Sequence, residues 1–86
     1  MPKLVSQKEP QYDEDSRRAR TEGTAVLYVV IDQNGVPLDL RVFRPLTPGL
    51  DLQAIKAVRQ WRFTPAMKNG LPVSIAVLIE VKFRLV

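Results

Sequence analysis

The chain has 86 residues, and its 13 Lys and Arg residues outnumber its 9 Asp and Glu residues to give a formal charge of +4. It contains no cysteine and no histidine, which excludes a disulfide framework, a thiol nucleophile, a Cys/His zinc site and a triad with an imidazole base. No apolar run approaches the roughly 20 residues of a membrane span, and the length suits one small domain.

The N-terminal segment, residues 1–11, is polar and contains two prolines, which predicts an extended arm ahead of a domain over residues 12–86. Leu4 and Val5 are the arm's only obvious packing residues. A short helix is expected next in the stretch DEDSRRAR, because its acidic residues come first and its basic residues last, the order that complements a helix dipole. Gly23 ends this helical pattern.

A β-hairpin is predicted from residues 24–32 and 36–44, where β-branched residues and apolar–polar alternation are typical of strands. Asn34 and Gly35 between them predict a two-residue primed turn, since both residues tolerate positive φ. That turn places certain apolar side chains together on the core face of the sheet: Ala25, Leu27, Val29, Ile31, Leu38, Leu40 and Val42. The opposite face is more apolar than a solvated face normally is, and it holds Val26, Tyr28, Val30 and Phe43.

A second helix is predicted from an N-cap at Asp51 to about Arg62. Its apolar side chains gather on one side at 100° per residue: Ala54, Ile55, Ala57, Val58 and Trp61. Trp61 is therefore expected to pack on the sheet rather than to stack on a nucleic-acid base. Arg62 is expected to satisfy backbone carbonyls or a carboxylate near the helix end.

The last strand is predicted over residues 73–86, after Pro65 has ended the helix and residues 68–70 have formed a second turn. Its odd positions are apolar, whereas several even positions are charged, which is typical of a half-buried strand. These charged positions are Glu80, Lys82 and Arg84.

Together the elements predict an α+β fold in which a three-stranded antiparallel sheet carries two helices on one face. The hairpin places the first two strands side by side, and a helical crossover brings the third beside the first, which gives the order 2-1-3. The last strand is then a long edge strand. Proteins usually blunt such edges, so an open one indicates a place for a partner strand to pair.

Four motifs occur together in this chain: Pro-x-Tyr at residues 10–12, Gly23 before the first strand, Asp-x-x-Gly at residues 32–35, and Ala-x-x-x-Trp-Arg-Phe-x-Pro-Ala at residues 57–66. In these motifs, over about residues 4–86, the chain resembles the C-terminal domain of the TonB family. The Trp-Arg-Phe-x-Pro block is the most specific of them. The sequence departs from the family pattern at three places, where proline or small and apolar residues are usual: Asp13, Ser16 and Thr21.

The resemblance implies an energy-coupling domain that is not an enzyme and has no cofactor. TonB-like proteins are anchored in the inner membrane and cross the periplasm on a Pro-rich linker. Their C-terminal domain holds an extended segment of an outer-membrane transporter, the TonB box, which adds a strand to the edge of the last strand. Energy from a proton-driven motor in the inner membrane then drives uptake of substrates such as iron–siderophore chelates or vitamins. This chain lacks an anchor, so a fragment or a departure from the family is expected.

Carried over by position, the resemblance implies a peptide-binding site made of the arm and the last strand. Its residues are Glu9, Pro10, Gln11, Tyr12, Val77, Leu78, Ile79, Glu80, Val81 and Lys82. A second set has structural roles at turns, corners and the core: Gly23, Asn34, Gly35, Trp61, Phe63, Pro65 and Gly70. No metal site is expected.

Other functions remain open at this point. Within the resemblance, the alternative is a TolA-like or stand-alone periplasmic module that binds protein or peptidoglycan. The apolar outer face and the open edge also allow a homodimer. A nucleic-acid binder would use RRAR and the arginines around Trp61, but the charge is modest and no nucleic-acid partner is expected.

Overall fold

The computed structural model describes residues 2–85, and these form seven strands and two helices. In chain order the elements are β1 (Leu4–Ser6), α1 (Glu14–Arg18), β2 (Gly23–Ile31), β3 (Pro37–Arg44), α2 (Pro48–Arg59), β4 (Arg62–Phe63), β5 (Ala66–Lys68), β6 (Leu71–Val73) and β7 (Ile75–Phe83). Neither helix in the described part of the chain combines the length and apolar character needed to cross a membrane.

The main sheet is antiparallel and has the order β3-β2-β7. The predicted α+β class and the predicted order 2-1-3 are therefore confirmed. Two small sheets, β1-β4 and β5-β6, were not predicted. They use segments of two or three residues, which are too short to show an apolar–polar period.

The β2–β3 turn has three residues, so the prediction of a two-residue turn was wrong. The Asp32 N–H donates to the carbonyl O of Val36 at 3.0 Å. Asp32 Oδ1 accepts from the amides of Asn34 and Val36, each at 2.9 Å, and this carboxylate bonding favours the longer loop. Only Gly35 has positive φ in the turn, at +80°, and a Cβ there would overlap the carbonyl O of Phe63.

The longer turn changes which β3 side chains face the core. Leu38 pairs with Val30 on the outer face and is 48% exposed, so its predicted place on the core face was wrong. Pro37, opposite Ile31, is buried instead. A bulge at Asp39, where φ is +52°, then restores the predicted alternation, and Leu40 packs against the core.

Helix α2 begins earlier than predicted, with Thr47 rather than Asp51 as the N-cap. The Thr47 side chain accepts from the Leu50 N–H at 3.1 Å, and Pro48 occupies the first helical position. Asp51 lies one turn inside the helix, where its carboxylate accepts from the Leu46 N–H at 2.8 Å.

Helix α2 also ends earlier than predicted, at Arg59 rather than near Arg62. Arg62 and Phe63 form β4, which pairs with the arm strand β1. Of the two kinds of partner predicted for Arg62, the structure shows carbonyls at the helix end: its Nη1 donates to Arg59 O at 3.2 Å and to Trp61 O at 2.7 Å.

The arm lies on the surface and is held mainly through its backbone. Leu4 and Val5 are 41% and 65% exposed, so the prediction that they pack was wrong. Backbone pairing of β1 with β4 needs no buried side chain, which explains how two exposed apolar residues occur in an ordered strand.

The predicted last strand is divided at Ser74 into β6 and β7. A two-residue turn precedes β6, as predicted, and both of its residues, Asn69 and Gly70, have positive φ, at 53° and 78°. This is the backbone that a primed hairpin turn requires. Val86, which the prediction included in the strand, lies outside the described residues.

The core lies between α2 and the sheet, with α1 packed on α2. Its buried members come from β2, α2, the segment after α2, and β7: Ala25, Leu27, Val29, Ile31, Leu50, Ala54, Val58, Trp61, Val81 and Phe83. Ser16 of α1 is buried, and its Oγ lies 3.0 Å from Thr47 Oγ1, which joins the two helices. On the opposite face of the sheet, Tyr28 and Phe43 are exposed, whereas Val26 is buried.

Candidate functional site

Strand β7 forms one border of the main sheet, and within residues 2–85 its only ladder partner is β2. The two strands pair in unbroken register from Gly23 opposite Phe83 to Ile31 opposite Ile75. The far side of β7 therefore presents backbone groups without a partner strand in the described part of the chain.

The hydrogen-bond direction in β2 identifies these backbone groups. Asp32 bonds toward β3 through its N–H. Successive residues of a strand direct their N–H and C=O groups alternately to its two neighbours, so Ile31 and the other odd-numbered residues of β2 bond to β7. Their β7 partners are also odd-numbered. It follows that the outward N–H and C=O groups belong to the even-numbered residues Ala76, Leu78, Glu80 and Lys82.

The side chains of β7 follow the same alternation. Leu78, Glu80 and Lys82 are exposed on the outer face, where Leu78 lies opposite Tyr28. Odd-numbered residues face the helices, and Val81 and Phe83 among them are buried. The predicted strand residues Val77, Ile79 and Val81 thus contribute to packing, whereas Leu78, Glu80 and Lys82 present both backbone groups and side chains at the edge.

The two edges of the main sheet differ in regularity. Strand β3 has two register shifts and a left-handed residue at Asp39. Bulges of this kind twist an edge and oppose the addition of another strand. Strand β7 has neither over its nine pairs, which makes it the edge better shaped to accept one.

A groove of about 340 Å³ separates this edge from the arm. It brings together six of the ten predicted peptide-binding residues: Glu9, Pro10, Tyr12, Glu80, Val81 and Lys82. Gln11 instead lines a neighbouring cavity with Gln53 of α2. Residues 77–79 do not line the groove; they lie in β7 on the Ile75 side of Glu80.

The arm wall of the groove is anchored by Trp61, which is 8% exposed. Its indole N–H donates to the carbonyl O of Lys8 at 2.7 Å. Farther along the arm, Lys3 and Thr64 exchange two bonds, from Lys3 N–H to Thr64 Oγ1 at 2.9 Å and from Thr64 N–H to Lys3 O at 2.7 Å. The sequence predicts a core position for Trp61 but does not predict its bond to the arm. The available signal was that a buried indole N–H requires an acceptor.

Tyr12 lines the groove just before α1 begins. Its hydroxyl donates to the carbonyl O of Thr21 at 2.8 Å, and its ring meets Phe83 edge-to-face with centroids 5.6 Å apart. Burial, reinforced by the negative charge of Glu22, raises the pKa of the Tyr12 hydroxyl. The neutral hydroxyl is therefore held by a hydrogen bond within the domain. The ring is the part of Tyr12 that remains to contact a ligand in the groove.

Asp13 fixes the position of α1 relative to α2. Its Oδ2 accepts from the Ser16 N–H at 3.1 Å as the N-cap of α1, and hydrogen bonding from Ser16 lowers the pKa of the Asp13 carboxyl. The carboxylate also lies against Gly49, where a Cβ would overlap it. A proline at this position could not supply this cap.

A family model and individual proteins that match this chain all point to TonB proteins. The family described as Gram-negative bacterial TonB protein C-terminal matches residues 8–85. Protein TonB of Vibrio cholerae is 33% identical over 98% of this chain and 35% of its own length. Protein tonB2 of Pseudomonas aeruginosa is 31% identical over 88% of this chain and 28% of its own length. The chain thus spans about a third or less of these relatives.

A solved structure shows the same fold. The solution NMR structure of the Pseudomonas aeruginosa TonB CTD superposes on this chain with a TM-score of 0.78 at 21% identity. The superposition covers 98% of this chain and 86% of the chain in that structure. The family match extends over most of the chain and includes β7 and Trp61, the edge strand and the arm anchor of the groove. The chain therefore belongs to the TonB C-terminal domain family.

Proposed function

We propose that this domain binds an extended segment of an outer-membrane transporter, the TonB box, by adding it as a strand along β7. TonB proteins are transport-associated and not enzymes, and in homologues the C-terminal domain is periplasmic. The observation that carries the proposal is the unbroken edge of β7 beside the arm groove. An added strand would bond to the outward groups of Leu78, Glu80 and Lys82.

The proposed binding needs few specific side chains, because backbone hydrogen bonds supply much of the affinity in strand addition. The groove adds an apolar wall from Pro10 and Tyr12. These residues would contact the side chains that the bound segment directs toward the helices, since alternate residues of a strand face opposite sides of a sheet.

The proposed role in the cell is mechanical coupling. An upstream anchor and Pro-rich linker would connect the domain to a proton-driven motor in the inner membrane, and movement of the held segment would open the transporter to iron chelates or vitamins. The arm is the structural link in this proposal, because it connects the upstream chain to the groove through the Trp61–Lys8 bond.

The test is a proline substitution at each edge of the main sheet. Leu78→Pro removes an outward N–H of β7 and places a ring where the added strand would bond, while leaving the β2 ladder intact. We expect TonB-box peptide binding, measured by calorimetry, to weaken roughly tenfold or more through the lost bond and the steric block.

Val42→Pro is the matched control. Val42 lies opposite Leu27, which bonds to β7, so the Val42 N–H also points outward, but at the β3 edge. This variant should bind the peptide as the unmodified domain does. Equal weakening by both prolines, or unchanged binding by folded Leu78→Pro, would contradict strand addition at β7.

A further inference from the structure

Two charged side chains at the β7 edge have no charged partner in their own sheet. Glu80 and Lys82 are exposed on the outer face, and the β2 residues opposite them are Val26 and Thr24. Within residues 2–85 neither side chain forms a salt bridge. Glu9 and Arg84 line the groove together with them, yet among the described residues neither forms a salt bridge with Glu80 or Lys82.

Because β7 is an edge strand, a strand added beside it could supply charged partners for Glu80 and Lys82. The outward backbone groups of Glu80 and Lys82 would bond to an added strand, which brings its side chains beside theirs on the same face. Since side chains alternate along a strand, the two added residues nearest Glu80 and Lys82 would be two positions apart in the bound segment.

We infer that the bound segment is selected by charge order, with a basic residue beside Glu80 and an acidic residue beside Lys82. This inference rests on the proposed function and adds a chemical rule to it. A segment bound parallel to β7 would read Lys-x-Glu, and one bound antiparallel would read Glu-x-Lys. The opposite order places like charges together at both positions.

A different role for the same charges is protection. Charged side chains on an edge strand discourage pairing with any chain. Protection alone predicts no preference between the two charge orders, because both peptides carry the same composition and net charge. The comparison of charge order therefore separates recognition from protection.

The experiment titrates the domain with four extended peptides of alternating threonine and valine. Two threonines on one face are replaced to give Lys-x-Glu, Glu-x-Lys, Glu-x-Glu or Lys-x-Lys. A TonB-box peptide is titrated in parallel, and amide NMR shifts of residues 78–82 verify that each peptide binds at the β7 edge. Each cross-strand charge pair should change affinity about 1.5- to 5-fold.

With two pairs, one mixed peptide should bind about 2- to 25-fold more tightly than the two like-charged peptides, and the other mixed peptide should bind more weakly than they do. The two like-charged peptides should fall between them. The ratio of the affinities of the two mixed peptides should shrink in 1 M salt, where the Debye length is about 3 Å.

The matched variant exchanges the charges, Glu80→Lys with Lys82→Glu, which keeps composition and net charge. It should invert the preference between Lys-x-Glu and Glu-x-Lys. If the TonB-box peptide binds and the mixed peptides have equal affinities, or if the four peptides do not bind, the charge rule is overturned while the proposed function stands. If the TonB-box peptide itself leaves the β7 amides unshifted, the proposed function fails and the charge rule falls with it.

Discussion

The bond from the Trp61 indole N–H to Lys8 O joins the arm to the core, and it can be removed by changing a single atom group. A sharp perturbation replaces Trp61 with benzothienylalanine, in which sulfur takes the place of the N–H and the ring volume is nearly kept. The chain has 86 residues, a length accessible to chemical synthesis. Only the donor is lost, so the stability change reports the hydrogen bond rather than packing.

The expected loss is about 0.5–1.5 kcal/mol, the net value of a typical intramolecular hydrogen bond. It stays in this range because Lys8 is exposed and its carbonyl can bond to water when the indole donor is absent. For a domain of this size the loss lowers the Tm by about 2–12 °C. Trp61→Phe should lose more, because it also leaves a cavity beside the buried side chains of the core.

The assay combines thermal unfolding with amide hydrogen exchange. In the benzothienylalanine variant, exchange should accelerate at the Thr64 N–H, which bonds to Lys3 O, while β2 amides keep their relative protection. TonB-box peptide affinity should also fall, because the arm wall of the groove is less fixed. Unchanged Tm and unchanged Thr64 protection would refute the reasoning that Trp61 anchors the arm.

The other predictions concern Tyr12 and Gly35. Because folding raises the pKa of Tyr12 above its ordinary value of 10.0, its stabilising contribution is complete below pH 10 and is lost as pH rises through the folded-state pKa. Alkaline denaturation monitored by circular dichroism should therefore be less steep in Tyr12→Phe, whereas Tyr28→Phe, which retains Tyr12, should behave as the unmodified domain. Gly35→Ala should cost about 2 kcal/mol or more in urea unfolding, since it combines positive φ with overlap on Phe63 O. Gly70→Ala has the same φ sign but open space, so it should cost less; equal losses would contradict the role of close contact at Gly35.

The sequence predicts the main sheet well because its signals are periodic and long. Nine residues of β7 alternate between the helices and the outer face, and this alternation alone places Glu80 and Lys82 on the exposed side. The edge position of β7 then follows from chain order and the crossover helix. The features that depend on a single side chain were harder to predict.

Local competition between side chains explains most of the misses. Asn34–Gly35 is a strong signal for a two-residue turn. The Asp32 carboxylate, however, accepts from the amides of Asn34 and Val36, and this bonding favours a turn that is one residue longer. Helix α2 begins after Thr47 rather than after Asp51, since a hydroxyl N-cap followed by a proline is also a strong signal for a helix start.

The groove depended on contacts that join distant parts of the chain. The arm is positioned by bonds from residues 3 and 8 to residues 64 and 61, and no periodic pattern encodes such pairs. Its place beside β7 was implied only by the family resemblance. The structure supplies the physical reason, which is the buried indole donor at the end of α2.

The most direct test of strand addition is amide hydrogen exchange along β7 with and without a saturating TonB-box peptide. In the free domain, the N–H groups of Ile79 and Val81 bond to β2 and should exchange slowly, whereas those of Leu78, Glu80 and Lys82 should exchange quickly. The account predicts that the peptide slows exchange at these even-numbered residues and leaves the odd-numbered ones nearly unchanged. Saturating peptide that leaves the amides of Leu78, Glu80 and Lys82 in fast exchange would contradict it.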